Sequence, residues 1–321
     1  MPGNSSVMRL LLWHVHGSWT TAFVRGGHTY LLPTVDDRGP WGRGRCGRDW
    51  PDTAVEVPHT RLRDAEVDAV VLQRPEELDL AERWLGRRPG RDVPAVYVEH
   101  NTPREHAATS RHPLADRTDI PIVHVTHFNE LMWDNGDAPT VVIDHGVVDP
   151  GHHYTGELAR AAVLINEPVR RNRIVGADLL GAFGRVAPVD LYGMGLEGVT
   201  TPGVRCVGDL PQERLHEHMA RRRVYVHTAR WTSLGLSLIE AMHLGMPVVA
   251  VASTEAATAV PEDAGVVSTD LARLTSAVET LCAQPEFAAR LGKAAREHAL
   301  AHFGLDTFLH RWDALFDRLL P

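Results

Sequence analysis

The chain has 321 residues, enough for two domains of ordinary size rather than one. With 44% hydrophobic and 23% charged residues, its composition is globular and excludes disorder, collagen and coiled coil. A formal net charge of −8 excludes a general nucleic-acid coat, so an anionic ligand must be held by local basic side chains and backbone N–H groups.

At the start, Met1–Val7 reads as a polar, unstructured leader, with Met8 as a second possible start. The apolar stretch that follows is short and broken by His14 and His16, so no signal peptide is expected. No apolar run approaches the ~20 residues of a membrane span. Cys46, Cys206 and Cys282 stand far apart without a Cys-x-x-Cys pair. That excludes a disulfide scaffold, speaks against a zinc ribbon, and fits a reducing cytoplasmic setting.

Apolar runs at Arg9–Val15, His28–Val35, Thr53–Val57, Asp68–Gln73, Pro94–His100, Pro121–His127 and Thr140–His145 predict strands. They are rich in Val, Ile and Leu without strict alternation, as parallel strands buried on both faces should be. Pro75–Leu85 reads as a helix opened by Pro and two glutamates. Asp36–Pro51 carries four arginines and four glycines and reads as a mobile surface loop, open to a role as an acceptor lid.

A second series follows, with strands at Ala162–Asn166, Val189–Tyr192, Val204–Val207, Val224–His227, Pro247–Ala252 and Gly265–Ser268. Helices are predicted at Val175–Phe183, Pro211–Arg221, Leu236–His243 and from Thr254. The tail from Leu271 to Leu320 is helical in pattern, broken at Pro285 and Gly304. The boundary falls at Asp149–His153, which breaks both periodicities. Residues 1–150 then form one doubly wound, Rossmann-like α/β domain and residues 151–321 a second with a helical tail, facing each other across a cleft at the carboxyl ends of their strands.

Residues just after strands matter most in such a fold. In Thr232–Ala250, Gly235 lets backbone approach a ligand. The N–H groups of Leu236 and Ser237 open a helix where a diphosphate would bind, and Glu240 lies about one turn further, placed to accept from ribose hydroxyls. Singly, Gly235 reads as a turn and Glu240 as a solvated helix residue. Together the row Thr232-Ser-Leu-Gly235-Leu-Ser-Leu-Ile-Glu240-Ala-Met-His-Leu-Gly245-Met-Pro247-Val-Val-Ala250 resembles the donor-site signature of retaining nucleotide-sugar glycosyltransferases of family 4, which have the two-domain B fold. It departs at Thr232, where the family carries a glutamate that touches the donor sugar. Val142–Asp149, Tyr192–Gly195 and Val207–Leu210 are also similar to family segments, covering residues 140–270 well and 8–140 in layout alone.

That resemblance implies a transferase that moves a sugar from a nucleoside-diphosphate sugar to an unidentified acceptor with retention of configuration; with no Asp-x-Asp clamp in the sequence, no metal or other cofactor is expected. Gly208, Asp209 and Leu210 would face the base. Spacing from Gly176 places the family's arginine on Arg170 and its lysine on Val175, with Arg171 or Arg173 standing in for the missing cation. A solvated basic turn is the plainer reading of those arginines. In the first domain, His16, Gly17 and Ser18 would form the acceptor-side loop, and His100 would sit near the donor sugar. Against this, His100 also reads as a satisfied strand-end histidine, and His127 as a helix start.

No His-Glu-x-x-His, Asp-x-Asp, Gly-x-Ser-x-Gly or Gly-x-x-x-x-Gly-Lys pattern occurs. Two rival functions remain: a nucleotide-sugar epimerase on the same fold, and a catalytically silent binding subunit, the latter motivated by Thr232 and Val175. The Arg-bearing C-terminal helices are open to a peripheral membrane contact or to plain helix packing.

Overall fold

The computed structural model describes residues 7–104 and 106–319. Of the expected leader, residues 1–6 lie outside the described residues. Contacts divide the chain into two compact units, Met1–Val148 with Leu305–Pro321, and Asp149–Gly304.

In the first unit the strands are β1 (Arg9–Leu12), β2 (Thr29–Thr34), β3 (Ala54–Pro58), β4 (Ala69–Leu72), β5 (Ala95–Glu99), β6 (Ile122–His124) and β7 (Thr140–Val142). They form one parallel sheet in the order β3-β2-β1-β4-β5-β6-β7. Leu10 sits in register with Tyr30 on one side and Ala69 on the other, so the strand order reverses between β1 and β4. Helices α1 (Gly17–Phe23), α2 (Glu76–Leu85) and α3 (His127–Met132) connect the strands. The chemistry that starts α2 is as expected: Pro75 precedes Glu76, Glu77 and Asp79 in the first turn, and Gly86 ends the helix in the left-handed region.

The second unit has β8 (Leu158–Leu164), β9 (Val189–Tyr192), β10 (Val204–Gly208), β11 (Arg222–His227), β12 (Val248–Val251) and β13 (Gly265–Ser268), all parallel in the order β10-β9-β8-β11-β12-β13. Its helices are α4 (Pro168–Val175), α5 (Leu180–Val186), α6 (Gln212–Ala220), α7 (Leu236–Leu244), α8 (Ala256–Ala259), α9 (Leu271–Ala283) and α10 (Pro285–His302). One face of the sheet packs Ala161, Val163, Leu191, Val224 and Val226 against Leu180 and Phe183 of α5 and Leu274, Val278 and Leu281 of α9. On the opposite face of β9, fully buried Asp190 accepts hydrogen bonds from Arg160, Arg205 and Arg222, whose guanidinium groups come within 2.7 Å of its carboxylate. Burial alone would raise its pKa; these hydrogen bonds and the Arg222 charge outweigh it and hold the carboxyl below the usual range.

The end of the chain differs from expectation. The last helix, α11 (Leu305–Leu319), packs with the first unit rather than the second. Its apolar stripe of Phe308, Trp312, Leu315 and Phe316 is buried, with Trp312 5.0 Å from Phe23 and 5.9 Å from Trp19 between ring centroids. His28 and Asp313 add a polar contact at 3.2 Å. Periodicity marks such a stripe as helical but does not say which sheet it covers. Arg296 pairs with Asp149, and Arg311 with Asp144, so these two arginines have protein partners. Among the described residues no helix is long and apolar enough to cross a membrane.

Asp36–Pro51 is irregular, as expected, but it is tied down. The Arg45 N–H donates to the Glu56 carboxylate at 2.8 Å, the Trp50 indole donates to the Thr21 hydroxyl at 2.9 Å, and Trp50 is buried. Expected as a mobile loop, it is held through these polar bonds, which a Gly- and Arg-rich composition does not announce.

Candidate functional site

In an open parallel sheet, ligands bind beyond the carboxyl ends of the strands where the strand order reverses. In the second unit that point lies between β8 and β11. Just past β8, the Asn166 side-chain oxygen accepts from the Met194 N–H at 3.0 Å, and Glu167 adopts a left-handed conformation with φ of 56°. Such a conformation is costly for a residue with a side chain and concentrates at functional positions. The arginine stretch, for which a basic turn is the plainer alternative, lies in α4, opened by Pro168 and kinked at Asn172.

On this helix the three arginines part ways. Arg170 is tied to Glu167 at 2.5 Å and Arg173 to Asp178 at 3.2 Å. Arg171 is half-buried; among the described residues its side chain makes no ion pair or hydrogen bond. Burial first, and then the Arg170 charge, lower its pKa. Val175, at the position of the family's lysine, is 5% exposed and belongs to the apolar core, so no side chain at that position supplies a cation.

Gly176 is required by two features. Its φ is 71°, and a Cβ there would lie 1.9 Å from the Thr228 carbonyl oxygen. This close approach locks α4 to the loop after β11. The Thr228 hydroxyl donates to the Val175 carbonyl at 2.7 Å, and the Arg230 guanidinium donates to both oxygens of Asp178 at 2.5 and 2.9 Å. Beneath the same loop, the Thr254 hydroxyl donates to the Ser233 carbonyl at 2.8 Å, and the Ser253 hydroxyl to the Ala229 carbonyl at 2.6 Å. Ser233 is buried and Thr232 half-buried.

Gly235 is the N-cap of α7 and carries no side chain to cap it. A Cβ at Gly235 would meet the His227 ring at 2.7 Å, so glycine is needed for the backbone to cross that imidazole. The His227 pKa is lowered by burial to about 4, which keeps the ring neutral. Ser237, in the first turn, accepts from the Tyr225 hydroxyl at 2.8 Å.

Glu240 is not solvated. It is 6% exposed, and its carboxylate accepts from the Gln212 amide at 3.2 Å while the His216 ring lies at 3.5 Å. Among the described residues the carboxylate's side-chain partners are Gln212 and His216, which leaves it acceptor capacity. Gln212 and His216 escaped sequence reasoning because they stand 28 and 24 residues away. On the β9–β10 side, the Gly193 N–H donates to the Gly208 carbonyl at 3.1 Å, and the space above the Gly208 Cα is open. Asp209 is exposed and Leu210 half-buried. Leu236 and Ser237 at the start of α7, together with Glu240, Thr232 and Gly235, therefore share one strand–loop–helix unit, to which the end of α4 is tied through Val175 and Gly176.

In the first unit, Gly17 and Ser18 are not a loop. They open α1, with His16 as its N-cap. The His16 and His100 rings lie 4.1 Å apart between centroids, His145 lies 6.4 Å from His100, and Trp19 stands edge-on to His100 at 5.1 Å. Burial lowers the His16 pKa to about 4 and that of His145 to about 3, and holds His100 well below its ordinary value. All three imidazoles are neutral near pH 7. His145 escaped sequence reasoning because nothing local distinguishes it. His127 is exposed and pairs loosely with Glu130 at 3.8 Å. Among the described residues no group of three or more His, Cys, Asp or Glu side chains is arranged to hold a metal ion.

Residues 200–298 match the family model for glycosyl transferases group 1. This segment contains Gly208, Thr232, Gly235 and Glu240. The fold is similar to the B fold of solved glycosyltransferases. Anabaena HepE in complex with UDP superposes with a TM-score of 0.74 at 15% identity, covering 98% of this chain and 100% of that one. Sucrose-phosphate synthase from Thermosynechococcus elongatus gives 0.72 at 16% identity, over 97% and 99% of the two chains. A glycosyltransferase from Rickettsia africae gives 0.72 at 12% identity, over 98% and 99%. A search of the curated proteins finds no match.

Proposed function

We propose that the protein transfers a sugar from a uridine diphosphate sugar to the hydroxyl of an acceptor, with retention of configuration. The observation that carries this reading is the buried Glu240 carboxylate one turn into a helix that starts at the uncapped Gly235, beyond the carboxyl end of β11. A ribose can replace Gln212 and His216 as the partner of that carboxylate, while the first N–H groups of α7 face the diphosphate. Uridine is the base named for the HepE complexes with UDP and with UDP-glucose.

As the glycosidic bond to the diphosphate breaks, negative charge builds on the leaving oxygen. Donors fixed in advance at that place stabilise it without reorganisation. Here they are the Leu236 and Ser237 N–H groups and the Arg171 guanidinium, with Arg170 and Arg173 able to join by releasing Glu167 and Asp178. Gly208–Leu210 offer backbone groups to the base, and Thr232 offers a hydroxyl to the sugar. In the first unit, His100 offers a neutral imidazole to a ligand hydroxyl, and His16–Ser18 belong to the acceptor side. No metal is required, because the diphosphate charge is met by arginine and backbone N–H groups. Product analysis with a panel of uridine diphosphate sugars and pooled hydroxylated acceptors tests this. A new glycoside and free UDP are expected. An epimerised nucleotide sugar formed without acceptor would replace the transferase reading by the epimerase one.

A further inference from the structure

The strand order of the first sheet reverses between β1 and β4. Trp13 follows β1, Gln73 follows β4, and His100 follows β5, so all three stand at the carboxyl ends around that reversal. The Gln73 amide nitrogen lies 2.7 Å from the Trp13 carbonyl oxygen, and its amide oxygen lies 3.0 Å from His100 Nε2. A main-chain carbonyl only accepts, so the Gln73 atom facing Trp13 must be the NH2 group. The atom facing His100 is then the amide oxygen, which also only accepts, and His100 Nε2 must carry the proton. Turning the amide over would set two carbonyl oxygens against each other.

Gln73 cannot easily leave this position. It is 4% exposed, and its own N–H donates to the Glu77 carboxylate at 2.7 Å. His16, Trp19 and His145 pack around the His100 ring. The crowding of buried imidazoles keeps that ring neutral, burial first and the neighbouring His16 and His145 next. A neutral ring protonated on Nε2 has an unprotonated Nδ1.

We infer that Gln73 is a positioning residue, which fixes His100 as its Nε2–H tautomer and so presents Nδ1 as a hydrogen-bond acceptor. On the transferase reading, on which the consequence rests, that lone pair receives a hydroxyl of the bound sugar or acceptor. Nothing in the arrangement lets His100 donate through Nδ1 while Gln73 holds Nε2.

The test is the imidazole spectrum of the full chain labelled with 15N-histidine, with His100 assigned by its loss in His100→Gln. Near neutral pH the wild type should show a pyridine-type Nδ1 and a pyrrole-type Nε2. In Gln73→Met, of similar length but without a polar end, His100 should exchange between tautomers. Its kcat should fall about tenfold or more, with donor KM changed far less. An Nδ1–H tautomer or an imidazolium in the wild type overturns the inference. So does an unaltered tautomer in a folded Gln73→Met. Should that variant fail to fold, the wild-type spectrum still decides. If the tautomer behaves as expected but the wild-type chain forms no glycoside, the transferase reading fails and the positioning role stands.

Discussion

Replacing Glu240 by Gln removes the carboxylate charge and leaves the shape. Inside the free protein the change should be mild. The oxygen of the new amide can still accept from Gln212, now 3.2 Å from the carboxylate, and its NH2 group can donate to His216, now at 3.5 Å, so the melting temperature should stay close to that of the wild type. Ligand binding is where the loss appears. Hydrogen bonds to a charged acceptor contribute about 1.5–3 kcal/mol each, against about 0.5–1.5 for neutral ones. Two ribose hydroxyls would therefore lose roughly 2–3 kcal/mol. Part of this is offset, because the wild-type carboxylate must first give up Gln212 and His216. A net loss of about 1.5–2 kcal/mol corresponds to about 10–30-fold weaker binding. Calorimetric titration with UDP measures it directly. An affinity within about twofold of the wild type, in a variant that melts normally, would remove Glu240 from the nucleotide site.

Arg171→Ala should weaken UDP binding far more than uridine binding, whereas Arg170→Ala should act less, because Arg170 is already paired with Glu167 at 2.5 Å; titrations with both ligands check this, and equal loss on both would mark Arg171 as structural. Asp190→Asn leaves Arg222, 3% exposed, without its anion, and should destabilise the second unit by about 3–5 kcal/mol in urea unfolding. Folding lowers the Asp190 pKa, so the unfolded chain takes up that proton more readily. The stability it contributes is complete above the unfolded value of about 3.9 and is lost as pH falls through the folded value; an unchanged acid-unfolding midpoint in the variant would contradict this. Thr232→Glu should shift donor preference toward fully hydroxylated hexoses, read from a panel of nucleotide sugars; an unaltered ranking in a folded variant places Thr232 outside the sugar pocket.

The strands were readable because parallel strands buried on both faces leave continuous apolar runs such as Val189–Tyr192, which is the observed β9. Helices were harder where propensity is poor. Gly17-Ser18-Trp19-Thr20-Thr21 contains few good helix formers, yet it forms α1 because Trp19, Thr20, Ala22 and Phe23 are buried by tertiary packing. The basic residues Arg170, Arg171 and Arg173 left a turn open as an alternative in the sequence, yet they lie in α4, which is kinked at Asn172 with φ of 24°. Glu240 was visible through the spacing of Gly235, Glu240 and Gly245, but its burial depends on α6, which a local motif does not encode. Gln73 left a fainter mark: one amide at the end of the wholly apolar β4. Only its juxtaposition with Trp13 and His100, from two other strands, gives it a task.

A thermal-shift series with uridine, UDP, UDP-sugars and their guanosine counterparts addresses the proposed donor site most directly. A ligand that binds only the folded chain stabilises it by about 2.7 kcal/mol at a hundredfold excess over Kd. UDP and at least one UDP-sugar should raise the melting temperature by several degrees, uridine much less, and Glu240→Gln should reduce the UDP shift at equal ligand concentration. If no nucleoside diphosphate or nucleotide sugar moves the transition, the cluster around Gly235 and Glu240 is not a nucleotide site and the transferase reading is wrong.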